Sequence, residues 1–142
     1  AYSQASSDSL ARLQNGNSGF YGSVEYHLDP ATTTFLRAGT AKSDINAVDR
    51  YVGTGVVWTG PLEARSEDQF GLAFAHVRTT PLARFVGLSK AETNFEMTYA
   101  APIGGGFSLQ GDVQYVLDPG VDATTKDALA AGLRLIWEFG AD

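Results

Sequence analysis

The sequence has no cysteine, few charged side chains and no long run of apolar residues. The absence of cysteine excludes disulfide scaffolds, zinc ribbons, thiol nucleophiles and iron–sulfur sites. No apolar segment reaches the roughly 18 residues that a membrane-spanning helix needs, because glycine and Pro61 interrupt the best stretch, residues 52–62. Only 18% of the residues are charged, and the basic ones form no cluster along the chain, so nucleic acid is a poor partner.

The size and charge of the chain are those of one acidic domain, or of part of one. The 142 residues include ten basic and sixteen acidic side chains, which give a net charge of −6. No basic leader precedes an apolar core, and the first residue is Ala1. We therefore expect either a processed N-terminus or a chain that begins partway through a longer protein.

Apolar and polar residues alternate along most of the chain. In Phe107–Leu117 the odd positions are apolar or glycine and the even positions are polar, with Val116 as the exception. This period of two predicts a β-strand, because a helix could not bury such a pattern on one side. The alternation recurs in residues 20–28, 93–99 and 129–139 and, more weakly, in 33–43, 49–59 and 69–77. Seven strands and no long helix are predicted, and the facing of 49–59 stays ambiguous because both of its faces are apolar.

The connections between these strands alternate in character. Turns are predicted at Asp29-Pro30, at Gly60-Pro61 and across Pro102–Gly106, and the last two are expected to be tight. The intervening connections, residues 43–48, 79–90 and 118–126, are longer. Short turns at one end and longer loops at the other are typical of an outer-membrane β-barrel.

Aromatic residues concentrate at the end of the strands where the short turns lie. Amphipathic aromatic rings favour the boundary between lipid and water, so this placement predicts a membrane girdle. Aromatics in a soluble core would lie at mid-strand instead. The girdle residues are Tyr26, Trp58, Phe70, Tyr99, Phe107, Trp137 and Phe139, together with Phe35.

The strand count bears on the size of the barrel. Seven antiparallel strands cannot close a barrel, because the first and the last run in the same direction, and an open edge is not tolerated in hydrocarbon. Residues 1–17 are rich in Ser, Gln and Asn and are interpreted as a loop or leader segment, not an eighth strand. Residues 18–139 are therefore expected to be one portion of a larger barrel whose remaining strands lie elsewhere.

Several segments resemble the C-terminal part of the OprB family of carbohydrate-selective porins. The resemblance rests on Val57-Trp58-Thr59-Gly60 with the turn that follows, on Glu92–Tyr99, on Leu109–Gly120, and on Asp127–Leu135 with Phe139. It implies an all-β fold, an antiparallel transmembrane β-barrel of about sixteen strands in the bacterial outer membrane, to which this chain contributes about seven. It also implies passive diffusion of sugars and a possible homotrimer. The chain departs from the family in the tail Gly140-Ala141-Asp142, since such proteins usually end on an aromatic residue.

In such a barrel the polar set of side chains faces water and the apolar set faces lipid. Carboxylates, amides and guanidinium groups can exchange several modest hydrogen bonds with sugar hydroxyls, which suits a solute that must be released again. The acidic excess is expected to favour cations modestly. The alternative is that these residues form a solvated pore wall without solute preference. In a second alternative, Arg134 forms an ion pair with Asp112 or Glu138 that stiffens the barrel. The predicted pore-lining residues are Glu25, His27, Arg37, Glu96, Asp112, Gln114, Arg134 and Glu138.

Catalytic and metal-binding patterns are weak. The two histidines, His27 and His76, lie far apart without flanking ligands, and Asp44, Asn46 and Asp49 miss the spacing of a calcium loop. We expect no enzyme activity, cofactor or metal. Two alternatives stay open: a complete eight-stranded outer-membrane barrel with a structural or anchoring role, and a soluble β-barrel or sandwich that binds a ligand.

Overall fold

The computed structural model describes residues 16–139 and consists almost entirely of β-strands. A five-residue helix and one 3₁₀ turn interrupt them. The elements in chain order are β1 (Gly19–Asp29), β2 (Thr32–Ala41), β3 (Val48–Thr59), β4 (Gln69–Thr79), α1 (Pro81–Phe85), β5 (Ala91–Gly104), β6 (Phe107–Leu117), the 3₁₀ turn (Pro119–Val121) and β7 (Ala128–Trp137).

The seven strands form one antiparallel sheet in which each strand pairs with its neighbours in the sequence. This confirms the predicted all-β fold. The bounds of β6 are those of the alternating segment, whereas β5 extends well beyond the alternation of residues 93–99 and includes Pro102. The proline lies near the strand end, where the pairing with β6 shifts between Pro102 and Gly104. A residue without a backbone donor is tolerated at such an irregularity.

Two of the three predicted turns are short, and the third is not. Pro30-Ala31 and Gly105-Gly106 are two-residue turns, and both glycines have the positive φ that a tight hairpin requires. The connection at Gly60-Pro61 was expected to be tight, but it spans residues 60–68 and is longer than the loop at 42–47. That prediction was wrong because Gly60 and Pro61 only begin a longer folded segment.

Asp68 holds this longer turn together. Its backbone carbonyl accepts a hydrogen bond from the Gly60 amide at 2.8 Å, and its carboxylate accepts from Arg65 Nε at 2.5 Å and from the Tyr99 hydroxyl. The residue is 2% exposed. The hydrogen bond from Arg65 lowers the pKa of the Asp68 carboxyl, since it favours the charged form.

The sheet has no apolar core of its own. Ala83 in α1 is the only buried hydrophobic residue in the part of the chain that the structure describes, and Leu133 is 76% exposed. A soluble sandwich buries one face of each sheet in an interior, whereas this sheet buries neither face within the described residues. Within residues 16–139, no helix is long and apolar enough to cross a membrane.

Candidate functional site: the polar face of the sheet

Strand register divides the side chains between two faces of very different chemistry. On one face of β6 and β7, Leu109 lies opposite Leu135 and Val113 opposite Ala131; on the other face, Gln110 lies opposite Arg134. We call these the apolar face and the polar face. The same division continues through all seven strands, because the ladders keep their register over most of their length.

The polar face carries the residues that were predicted from the sequence to line the pore. They fall into two groups, one on β1 and β2 and the other on β5 to β7. The residues on this face are Glu25, His27, Arg37, Glu96, Asp112, Gln114 and Arg134, and Glu138 follows the end of β7.

The first group surrounds the ring of Phe35. Glu25 lies directly opposite Phe35, and the guanidinium carbon of Arg37 is 4.9 Å from the centroid of the Phe35 ring. This distance is within the range of a cation–π interaction. His27 Nδ1 is 2.8 Å from the hydroxyl oxygen of Thr33, which lies opposite it. The group therefore combines an acid, a base and an aromatic surface.

The second group is richer in hydrogen-bond acceptors. Glu96 lies opposite Gln114, whose Oε1 accepts a hydrogen bond of 3.3 Å from Asn94. Asp112 lies opposite Gly132, and its carboxylate covers that glycine. Three ion pairs occur among the described residues, and none involves Arg134. The expected ion pair of Arg134 with Asp112 or Glu138 is therefore not formed, because neither acid lies within ion-pair distance of it.

A strip of small residues separates the two groups. It lies on β3 and β4 and consists of Gly53, Gly55, Gly71, Ala73 and Ala75. The Phe35 ring occupies the space that a Cβ on Gly55 would need, and the Tyr51 side chain covers Gly53 in the same way. The small residues thus let two aromatic rings lie flat on the polar face.

Phe35 was expected in the membrane girdle, and this prediction was wrong. It lies opposite Glu25 on the polar face, because it is an odd-numbered residue of β2 whereas Leu36 and Ala38 occupy the apolar face. Neither Phe35 nor Tyr51 was recognised as a residue of the polar face. The pairing register does reveal their place. Phe35 lies opposite Gly55 and Tyr51 lies opposite Gly39, and alternation within one strand does not show these pairs.

The other residues predicted for the girdle lie on the apolar face at the turn end, or next to it in the case of Phe139. Trp58 stacks on Phe70 with ring centroids 5.7 Å apart, and Phe107 stacks on Trp137 at 5.6 Å. Phe139 contacts Trp137 at 5.1 Å. Tyr99 lies opposite Phe70, and Tyr26 occupies the same face of β1. These rings form a band along one edge of the sheet.

The residues considered for calcium have other partners. Asp44 pairs with Lys42 at 3.3 Å, Asn46 exchanges hydrogen bonds with Asn17, and Asp49 binds Arg78. Between residues 16 and 139, no group of three or more His, Asp or Glu side chains is arranged to hold a metal ion.

Strands of 10 to 14 residues with an exposed apolar face, a polar opposite face and an aromatic band define the wall of a transmembrane β-barrel. The sequence model of the carbohydrate-selective porin, OprB family, matches residues 1–139. The chain therefore belongs to this family, whose members are outer-membrane transport channels of Gram-negative bacteria, and the resemblance noted in the sequence is confirmed.

Two relatives support this assignment. Porin B of Pseudomonas aeruginosa is 26% identical, over 63% of this chain and 24% of that protein. The high-pH structure of OprB from Pseudomonas putida is 24% identical with a TM-score of 0.69, over 73% of this chain and 29% of that one, and supports the fold. The chain thus spans about a quarter of the length of the curated relative that it matches.

Proposed function

We propose that this chain forms part of the wall of a porin through which carbohydrates and other small hydrophilic solutes diffuse passively across the outer membrane. One observation carries the proposal: hydrogen-bonding side chains, small residues and two flat aromatic rings share one face, whereas the other face is apolar and exposed. Lipid accounts for the exposed apolar face, and a water-filled passage accounts for the polar one.

The polar face suits sugars because it offers two kinds of weak contact. The second group, with Glu96, Gln114 and Asp112, provides acceptors for hydroxyl groups, and Arg37 and Arg134 provide donors. Phe35 and Tyr51 offer flat apolar surfaces that match the C–H face of a sugar ring. Several weak contacts of this kind hold a solute briefly and release it, as diffusion through a pore requires. No reaction is needed, so we propose no enzyme activity and no cofactor.

A closed pore needs more strands than these seven. The outer edges of β1 and β7 have no strand partner within residues 16–139, and the two strands run in the same direction. Their amides would lack hydrogen bonds in hydrocarbon. We propose that further strands of a larger barrel pair with both edges, and that the barrel assembles as a homotrimer. The alternative of an eight-stranded barrel needs a strand within residues 1–17, of which 1–15 lie outside the described residues, as does the tail 140–142.

Liposome swelling tests the proposal in the complete barrel. A neutral hexose and a cationic amino sugar are expected to enter faster than an anionic sugar acid of similar size, because acids outnumber arginines on the polar face. Glu96→Gln should lower the preference for the cationic sugar over the anionic one. The matched control is Met97→Leu, one residue along the same strand on the apolar face. It should leave the relative entry rates of the three sugars unchanged.

Two results would count against the proposal. Equal rates for all three sugars, after correction for size, would remove the expected preference for neutral and cationic sugars over anionic ones. No swelling above that of protein-free liposomes would remove the pore itself.

A further inference from the structure

The apolar face carries two arginines at the end of the sheet where the longer loops lie. Arg50 of β3 lies directly opposite Arg78 of β4, and His76 follows two residues along on the same face. No other lysine or arginine of β1 to β7 is on this face. Residues 50 and 78 are far apart in the sequence, so the fold creates a basic pair that the chain order does not reveal.

Two like charges placed directly opposite each other destabilise a sheet unless an anion lies between them. Asp49 partly provides one. The pairing of β3 with β4 shifts between Val48 and Arg50, and this bulge brings the Asp49 carboxylate to Arg78, with hydrogen bonds of 3.2 Å from Nε and 3.0 Å from Nη2. Asp49 is buried beneath this contact.

Arg50 lacks such a partner. It is exposed, and its guanidinium makes no hydrogen bond or ion pair with any residue between 16 and 139. Asp49 pairs with Arg78 alone, and the two arginines with this one carboxylate keep a net positive charge. Arg50 is free to bind an anion from outside the chain.

A groove of about 270 Å³ lies beside the pair. Arg50, His76 and Arg78 line it, together with residues of β2 and β3, namely Ala38, Gly39, Thr40, Tyr51 and Val52. Two arginines beside apolar side chains fit a ligand that joins an anionic headgroup to a hydrocarbon chain.

The position of the groove identifies the ligand. An arginine that faces lipid is strongly unfavourable at mid-depth but well tolerated near the membrane surface. In an outer-membrane barrel the longer loops face the cell exterior, so Arg50 and Arg78 lie at the headgroup level of the outer leaflet. That leaflet is built from phosphorylated glycolipid, and the planar fork of arginine matches a phosphate group.

We propose that Arg50 and Arg78 bind a phosphate of the glycolipid that surrounds the barrel in the outer leaflet. The proposal rests on the proposed porin function for its membrane orientation. It assigns a role to residues on the lipid side of the wall, which take no part in solute passage. The groove would seat the glycolipid against β2, β3 and β4, and its phosphate would supply the charge that Asp49 provides only in part.

Binding of lipid A to the complete barrel in detergent tests the proposal. Bisphosphorylated lipid A is expected to bind about ten-fold more tightly than its dephosphorylated form, and Arg50→Gln should remove about that factor. Arg50→Lys keeps the charge and should retain most of the affinity. Arg134→Gln removes an arginine from the polar face of the same sheet and should leave binding unchanged.

Three results would overturn the proposal: equal affinity for the dephosphorylated lipid, no loss in Arg50→Gln, or an equal loss in Arg134→Gln. Competition by inorganic phosphate at the same concentrations would also overturn it, because it would indicate a general anion site. Heat-shifted gel mobility confirms that each variant is folded. Sugar entry into liposomes should stay unchanged in Arg50→Gln, which separates failure of the lipid site from failure of the pore.

Discussion

The two faces of the sheet share one backbone and differ almost completely in side chains. The apolar face exposes large residues such as Leu133 and Leu135, and the polar face exposes charges and small residues. In a soluble protein one of these faces would be covered. Here neither is, so the difference between them reflects two solvents, lipid on one side and water on the other. Burial fractions alone therefore say little about what stabilises this sheet.

The largest loss of stability is expected from a charge introduced on the apolar face. Val113→Arg places a guanidinium near the middle of β6 on the apolar face, and it should destabilise the barrel by about 2–4 kcal/mol. Gln114→Arg is the matched control, since its side chain points to the polar face at almost the same depth. The measurement is the unfolding midpoint in urea, in lipid vesicles. Equal losses for the two variants would contradict the assignment of the faces.

The second comparison runs along the strands, from the turn end to the loop end. The turn end is held by the carboxylate of Asp68, which Arg65 and Tyr99 both contact. Asp68→Asn removes the negative charge and should lower thermal stability at neutral pH by less than Val113→Arg does, because the turn lies outside the sheet.

The pH dependence of this loss follows from the pKa of Asp68. The folded-state pKa is lower than that of the unfolded chain, about 3.9, so the stabilisation is present above this value and disappears as pH falls through the folded pKa. We expect the thermal midpoints of wild type and Asp68→Asn to differ at about pH 7 and to converge as pH falls below about 3.9 and through the lowered pKa of Asp68. A difference that stays constant with pH would show that the charge is unimportant.

The smallest expected effect concerns hydroxyl groups on the apolar face. Thr34 donates to the carbonyl of Gly55 and Thr54 to that of Phe35, each at 2.8 Å, so neither hydroxyl is left unsatisfied against lipid. Thr54→Val removes one bond and adds an apolar group, and it should change stability by less than about 1 kcal/mol. The check is the urea midpoint, with Thr98→Val on the polar face as the control. A loss of several kcal/mol would mean that the hydroxyl has a further role.

Much of this architecture could be predicted from the alternation within single strands. Phe107–Leu117 was predicted with its observed bounds, and the facing of Asp112, Gln114 and Arg134 followed from period two. The prediction was less accurate where a pattern depends on neighbours. The facing of residues 49–59 was ambiguous because both sides are apolar, and only pairing with β4 places Val56 and Trp58 on the apolar face.

The two wrong predictions, for Phe35 and for the turn at Gly60, both arose because contacts between separate segments decide these features. Phe35 was counted with the girdle because it is aromatic and near a turn, although its space on the polar face exists only because Gly55 lies beside it on β3. The turn at Gly60 was expected to be short because Gly-Pro begins it, although Asp68 and Tyr99 hold a longer segment in place. Neither contact is visible within a single strand.

The sequence by itself determined the strands, the facing of those that alternate clearly and the family, because period-two alternation and the motif segments are local properties of the chain. Only the tertiary structure decided which residues from different strands lie together. It placed Phe35 of β2 over Gly55 of β3, and it placed Arg50 opposite Arg78. The physical reason is that the backbone hydrogen bonds between strands set the register, and the register alone decides which distant side chains come into contact.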